Sequence, residues 1–385
     1  MKQLKFIFLS YTPNTASTNR MQAYWNVLDK LGIKVEVTFF LPDSKFSKVK
    51  EVYKNITFNY YWDKYYINHR ALKYISYYFY RKDYVRRIKE GDILYLYGFS
   101  DFLQELTKKN IHIYQERTEH PEVIALGTRF FRTTVKKNIE ECKKLTGLFV
   151  ISKSLKDFFI ENGVDENKIH IINMTVDSKR FENLIKQGDV EKYIAYCGNV
   201  SNSKDGVDEL IKSFALVAKK HDDVKLYIIG KLPPITDAPN DIRLLVETLG
   251  IKDRVVFTGL VDHNEMPQLL KNAVALALAR PNSLQAKHGF PTKLGEYLLT
   301  ENPVVITDVG DMHLFLKNGE SALIAEERNT VDFANKLCWI LEHPKEAEEI
   351  GRKGKEVALQ SFNADIETKK LVDIISRNYA DIKRK

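Results

Sequence analysis

Residues 5–39 read KFIFLSYTPNTASTNRMQAYWNVLDKLGIKVEVTF. Lys5 to Leu9 is an apolar run of strand length, followed by a polar loop from Ser10 to Asn19. Met21, Trp25, Leu28 and Leu31 then recur at helical spacing until Gly32, a residue suited to the left-handed turn that ends a helix. Val35, Val37 and Phe39 alternate as a strand does. The result is a β-α-β unit, whose right-handed crossover makes the two strands parallel. The N-terminal half is therefore expected to be Rossmann-like, with further strands at 93–97, 111–114, 148–151 and 169–172.

The alternation of strand and helix resumes at Tyr193-Ile194-Ala195-Tyr196-Cys197-Gly198, and strands are expected again at 224–229, 255–258, 274–279 and 303–308. A chain of 385 residues is too long for one ordinary core. The expected fold class is α/β, two Rossmann-like domains with parallel sheets facing across a cleft: residues 1–187, then 188–363. A last helix, 364–385, has Ile366, Leu371, Ile374 and Ile375 on its apolar side and is expected to pack across both domains. In such sheets ligands sit at the carboxyl ends of the strands.

Composition narrows the function. With 44% hydrophobic and 29% charged residues the chain is globular, with material for cores and little for long disordered stretches. Cys142, Cys197 and Cys338 are widely spaced and form no CxxC pair, so reduced thiols in a cytoplasmic compartment are expected, and no metal site. The run Phe6 to Leu9 is too short for a secretory leader, and no run reaches the roughly 20 apolar residues that span a bilayer. A formal charge of +8 favours anionic partners without choosing among them.

Gly-x-Gly occurs nowhere, which removes the dinucleotide fingerprint and the P-loop; Asp-x-Asp, a metal-holding carboxylate pair, is also absent. The most informative stretch runs from Ala279 through Arg280, Lys287, His288, Gly289, Phe290, Pro291, Thr292, Lys293, Leu294 and Glu296 to Leu298. It reads as a strand end, a polar loop and a helix capped by Thr292. Free N–H groups at a helix N-terminus, with a glycine and nearby Arg280, Lys287 and Lys293, suit a diphosphate without a metal. Glu296 lies one residue too far from Thr292 for a capping box and is free to accept hydrogen bonds from ribose hydroxyls.

This stretch resembles the retaining family-four glycosyltransferases of GT-B fold, in the branch with a Pro-Thr/Ser-Lys-Leu-x-Glu-Tyr signature, here Pro291 to Tyr297, ahead of Pro303-Val304-Val305. The set extends to Lys204-Asp205-Gly206-Val207, Ile228-Ile229-Gly230, Val256 to Val261, Ile151 to Leu155, and Val176-Asp177 with Phe181. The resemblance implies an enzyme that moves a hexosyl or N-acetylhexosaminyl group from a nucleotide-sugar to a glycan or lipid-linked acceptor, with retention of configuration, in surface polysaccharide synthesis. The nucleotide-sugar is a substrate, a UDP-sugar favoured over a GDP-sugar, and no cofactor is implied. Lys204 and Lys293 would contact the diphosphate and Glu296 the ribose. Backbone near Gly198, Gly230, Leu260 and Val261 would frame the nucleotide, and His120 would contact the sugar. Two positions depart from the family pattern: His288 stands where a second Glu is usual, and Asn199 where an Arg follows the strand glycine. Arg280 and Lys287 could replace that charge.

Each of these residues has a plainer reading. Glu296, Lys293 and Lys204 could be ordinary surface charges, the glycines turn residues, and His120 a turn-capping or half-buried histidine before Pro121. Arg20 reads first as a solvated helix residue and second as an acceptor-side contact. Residues 52–89 interleave Tyr60-Tyr61-Trp62, Tyr65-Tyr66 and Tyr77 to Tyr80 with Arg81, Lys82, Arg86 and Arg87. That pattern suits peripheral contact with an anionic membrane at the inner face of the cell membrane; the rival is aromatic core packing beneath solvated charges. No nucleic-acid-binding motif accompanies it. The alternative function is a non-catalytic sugar-nucleotide-binding or scaffold protein of the same fold.

Overall fold

The computed structural model describes residues 3–63, 72–97, 103–127, 134–188, 191–234 and 241–383. The chain divides into two compact units, Met1–Asn173 with Ala364–Lys385, and Met174–Asn363.

The first unit holds a seven-stranded sheet in the order β3-β2-β1-β4-β5-β6-β7. Its strands are β1 Leu4–Phe8, β2 Val35–Phe39, β3 Ile56–Tyr60, β4 Ile93–Tyr97, β5 His112–Arg117, β6 Gly147–Val150 and β7 Ile169–Ile171. Every neighbouring pair is parallel, β1 meeting β2 with Leu4 opposite Val35. Thr15 caps the first helix, Ala16–Lys30, by accepting the Thr18 N–H. Its Met21, Tyr24, Trp25 and Leu28 are buried in one cluster with Phe39, Tyr95 and Phe149. Each such side chain contributes about 1.5–3 kcal/mol of burial free energy.

Helix Ala364–Lys383 belongs to this first unit. Leu371, Ile374 and Ile375 enter the same cluster, and Glu367 accepts the Asn173 N–H at 2.8 Å. Ile366, expected on the apolar side, is exposed. The edge strand β3 had no counterpart in the sequence reading, because Thr57 and Asn59 face outward and dilute its apolar signal.

The second unit contains β8 Tyr193–Cys197, β9 Lys225–Ile229, β10 Val255–Gly259, β11 Ala275–Leu278, β12 Val304–Thr307 and β13 Leu323–Ala325. These form one parallel sheet in the order β10-β9-β8-β11-β12-β13. The unit starts at Met174, earlier than residue 188, because the segment before β8 packs onto it. Phe181 is buried, Val176 bridges to Asn363, and Arg180 reaches Glu296.

The tyrosine-rich segment divides by helical face. On helix Leu72–Arg87 and just beyond it, Tyr77, Tyr80, Tyr84 and Ile88 are buried with Phe40 and Tyr61. Ile75, Tyr78 and Phe79 are exposed. Tyr65 and Tyr66 lie outside the described residues. Among the described residues no helix is long and apolar enough to cross a membrane.

Arg20 is a correction to the first reading of it as solvated. It is buried, with Nε on Glu116 at 2.5 Å, Nη1 on the Asn173 carbonyl at 2.7 Å and Nη2 on the Ile172 carbonyl at 3.0 Å.

Candidate functional site

In the second unit β8 and β9 run straight into Gly198 and Gly230, and β10 ends on Gly259. Main-chain bonds tie these tips together: Gly198 N–H to the Ile229 carbonyl and Gly230 N–H to the Gly259 carbonyl, both at 2.9 Å. A Cβ on Gly230, whose φ is +130°, would collide with the Gly198 carbonyl, and one on Gly198 with the Lys293 ammonium. The chain therefore presents bare backbone at the carboxyl ends of its central strands, the place where α/β sheets bind ligands.

The signature helix is Thr292–Leu299. Thr292 was expected to cap it; instead Pro291 holds the N-cap position, no side chain caps the helix, and Thr292 is an exposed first-turn residue. Proline has no N–H to offer and its fixed φ leads directly into the helix. The Leu294 N–H donates to the Pro291 carbonyl at 2.9 Å, and no side chain caps the N–H groups of Thr292 and Lys293. Between β11 and this helix the expected polar loop contains a short helix, Leu284–His288, capped by Ser283. Lys287 is exposed, His288 half-buried and Gly289 buried. Phe290 packs edge-on against Phe315 and Phe362, and Leu294 is buried below it in the chain.

Lys293 is the hub of a polar cluster. Its Nζ lies 2.5 Å from Asp205 Oδ2 and 3.2 Å from the Tyr196 hydroxyl, itself 2.7 Å from the same carboxylate oxygen. Burial lowers the Lys293 pKa, opposed by Asp205. Tyr297, one residue beyond Glu296, accepts the Cys197 N–H at 2.6 Å and so pins the helix to the tip of β8.

Arg280 follows β11 and is among the largest fully buried side chains, yet its Nε and Nη1 have no hydrogen-bond partner among the described residues. Burial pulls its pKa down to about 10, against the opposing pull of Asp205 and then Tyr196. A guanidinium held without an acceptor is costly unless something arrives to accept from it. Glu296 is half-buried and paired with Arg180 at 2.7 Å; burial raises its pKa, while Arg180 and Lys293 oppose the rise.

The structure thus gathers Gly198, Gly230, Arg280, Lys293 and Glu296 in one unit. Lys204 is there too, exposed in the turn that also carries the buried Asp205. Asn199 and Leu260 are exposed beside the strand tips, with Val261 partly so. His120 and Arg20 belong to the other unit. His120 is buried, its Nδ1 accepts the Glu122 N–H at 3.2 Å, and its ring meets Phe158 edge-on at 4.2 Å.

Asp205, Tyr196 and Arg180 were not singled out from the sequence. Asp205 adjoins Lys204, and Arg180 adjoins Phe181 in a segment already marked by Val176-Asp177. Tyr196 and Asp205 are 9 residues apart, but their bonds to Lys293 and that of Arg180 to Glu296 span 88 to 116 residues of chain.

Two Rossmann-like units with parallel sheets make this an α/β chain of the GT-B fold. HepE from Anabaena, solved in complex with UDP, superposes with a TM-score of 0.75 over 98% of this chain and 100% of its own, at 16% identity, a likeness of fold. Residues 191–343 match the glycosyl transferases group 1 family. The capsular polysaccharide biosynthesis glycosyltransferase CapM of Staphylococcus aureus is 26% identical over 275 residues, 68% of this chain and 69% of its own. The MMP alpha-(1->4)-mannosyltransferase of Mycolicibacterium hassiacum is 24% identical over 217 residues, 56% of this chain and 50% of its own. The chain spans about half the length of several curated relatives it matches.

Proposed function

We propose that the chain is a retaining, metal-independent glycosyltransferase that takes a UDP-sugar in its second unit and glycosylates a glycan or lipid-linked acceptor in surface polysaccharide synthesis. The observation that carries the reading is Arg280: a buried guanidinium whose Nε and Nη1 have no acceptor among the described residues, in the field of Asp205 and Tyr196, the pair that Lys293 also bonds. A diphosphate supplies the missing acceptors. Arg280, Lys293, exposed Lys204 and the uncapped N-terminus at Thr292 neutralise it in place of a metal. Glu296 accepts from the ribose hydroxyls, and backbone at Gly230, Leu260 and Val261 frames the base.

Catalysis then rests on charge stabilisation of the leaving group. The bond from the anomeric carbon to the β-phosphate oxygen breaks and its electron pair stays on the diphosphate. The acceptor oxygen bonds to the same face of that carbon, and the acceptor proton passes to a diphosphate oxygen. Work is expected at the cytoplasmic side of a membrane. Ile75, Tyr78 and Phe79 are exposed on a helix that also carries Lys82, Arg86 and Arg87, which suits an anionic surface.

The test supplies labelled UDP-hexoses and UDP-N-acetylhexosamines with vesicles carrying lipid-linked acceptors. UDP release that depends on acceptor, with the anomeric configuration of the donor kept in the product, is expected. Release without acceptor, or an inverted product, contradicts the mechanism, and no turnover with any donor leaves a non-catalytic binding protein. Spinning down the same vesicles checks the membrane contact: Phe79→Asp is expected to leave protein in the supernatant, and equal sedimentation of wild type and variant removes it.

A further inference from the structure

Arg180 lies in the 3-10 turn Ser178–Phe181, which Asp177 caps by accepting the Lys179 N–H at 3.1 Å. Its guanidinium bridges two parts of the donor unit. Nη1 donates to Glu296 Oε1 and Nη2 to the His263 carbonyl, each at 2.7 Å. Glu296 sits on the signature helix. His263 lies in the loop after β10, two residues beyond Val261. One planar fork therefore ties the carboxylate assigned to the ribose to the loop assigned to the base. Lysine, a point charge, could hold one of these but not both in fixed geometry. Both members of the ion pair are largely shielded, with 17% and 23% of their side-chain surfaces exposed, so the contact is better protected from screening than a surface pair.

We infer that Arg180 is a positioning residue of the donor site, fixing Glu296 and the main chain at His263 in one frame so that the ribose and base of a nucleoside diphosphate are held together. The inference rests on the donor reading of Glu296. Its electrostatics agree with the geometry. Burial drives the Glu296 pKa up, Arg180 and then Lys293 oppose this, and Asp177 adds to the rise. The neighbouring Cys197 thiol is itself pushed up to about 12 by burial and then by Glu296, and stays neutral. The His263 imidazole is lowered by burial and by Arg180. Without Arg180, Glu296 takes up its proton at a higher pH, and a protonated carboxyl loses acceptor capacity toward ribose hydroxyls.

The experiment is calorimetric titration of UDP into the full chain between about pH 5 and pH 8. Wild type, Arg180→Gln, Arg180→Lys, Glu296→Ala and the double variant Arg180→Gln/Glu296→Ala are compared. Arg180→Gln is expected to weaken UDP roughly tenfold near neutrality. It also moves to higher pH the limb along which affinity falls on acidification. Arg180→Lys restores the position of that limb but not the full affinity. In the Glu296→Ala background the loss of Arg180 adds little. Additive effects in the double variant, or a limb that does not move in Arg180→Gln, overturn the inference and leave Arg180 a scaffold residue. If Arg180→Gln does not fold, Arg180→Lys with wild-type UDP affinity overturns it equally. Glu296→Ala that binds UDP as wild type does overturns the donor reading, and the inference with it. Weakening by Glu296→Ala but not by Arg180→Gln overturns the inference alone.

Discussion

Arg20 in the first unit and Arg280 in the second are buried almost equally, 4% and 2% exposed, and have opposite surroundings. Arg20 has a counterion in Glu116 and two main-chain carbonyls, from Ile172 and Asn173, on its remaining nitrogens. Glu116 is in turn within reach of the Tyr24 and Tyr95 hydroxyls. Arg280 has no hydrogen bond on Nε or Nη1 among the described residues, and Asp205, whose charge acts on it, is already bonded to Lys293 and Tyr196. Burial alone does not separate a structural cation from a functional one; the count of filled acceptors does. The first guanidinium locks the end of β7 to the first helix, and the second keeps two nitrogens without an acceptor among the described residues.

That contrast can be broken by two substitutions with opposite expected signs. Glu116→Ala leaves Arg20 buried without its counterion and should cost about 3–5 kcal/mol, read as a lower urea midpoint with an unchanged slope. Arg280→Met removes a buried charge whose Nε and Nη1 have no acceptor among the described residues, so the ligand-free chain should gain about 1–2 kcal/mol while its affinity for UDP falls. A midpoint that drops for Arg280→Met as it does for Glu116→Ala would show that both arginines are structural, and the distinction between the units would fail.

The sequence carried the sheets better than the site. β1, β4, β6 and β8 announce themselves as buried apolar runs, since a strand covered on both faces needs no partner to be recognised, and β2 by the alternation of Val35, Val37 and Phe39. β3 and β13 escaped, one because half its residues face outward and the other because it is three residues long. The start of the second unit was placed late because the segment around Arg180 has no strand or helical period; only its contacts with Glu296 and His263 assign it. The signature helix was legible, but its cap was not: Thr292 suits an N-cap by residue type, and Pro291 takes that position by geometry. Charges were the least legible. Lys293, Arg280 and Arg20 look alike as letters, and what distinguishes them is which distant acceptors the fold brings to each.

In the function proposed above, side-chain cations and a helix N-terminus without a side-chain cap hold the donor diphosphate without a metal. Parallel calorimetric titrations of UDP and of uridine into the wild-type chain, in EDTA and then in excess magnesium, test it directly. UDP is expected to bind in EDTA, far more tightly than uridine, with little added by magnesium. UDP binding that appears only with magnesium, or that matches uridine in EDTA, would contradict it.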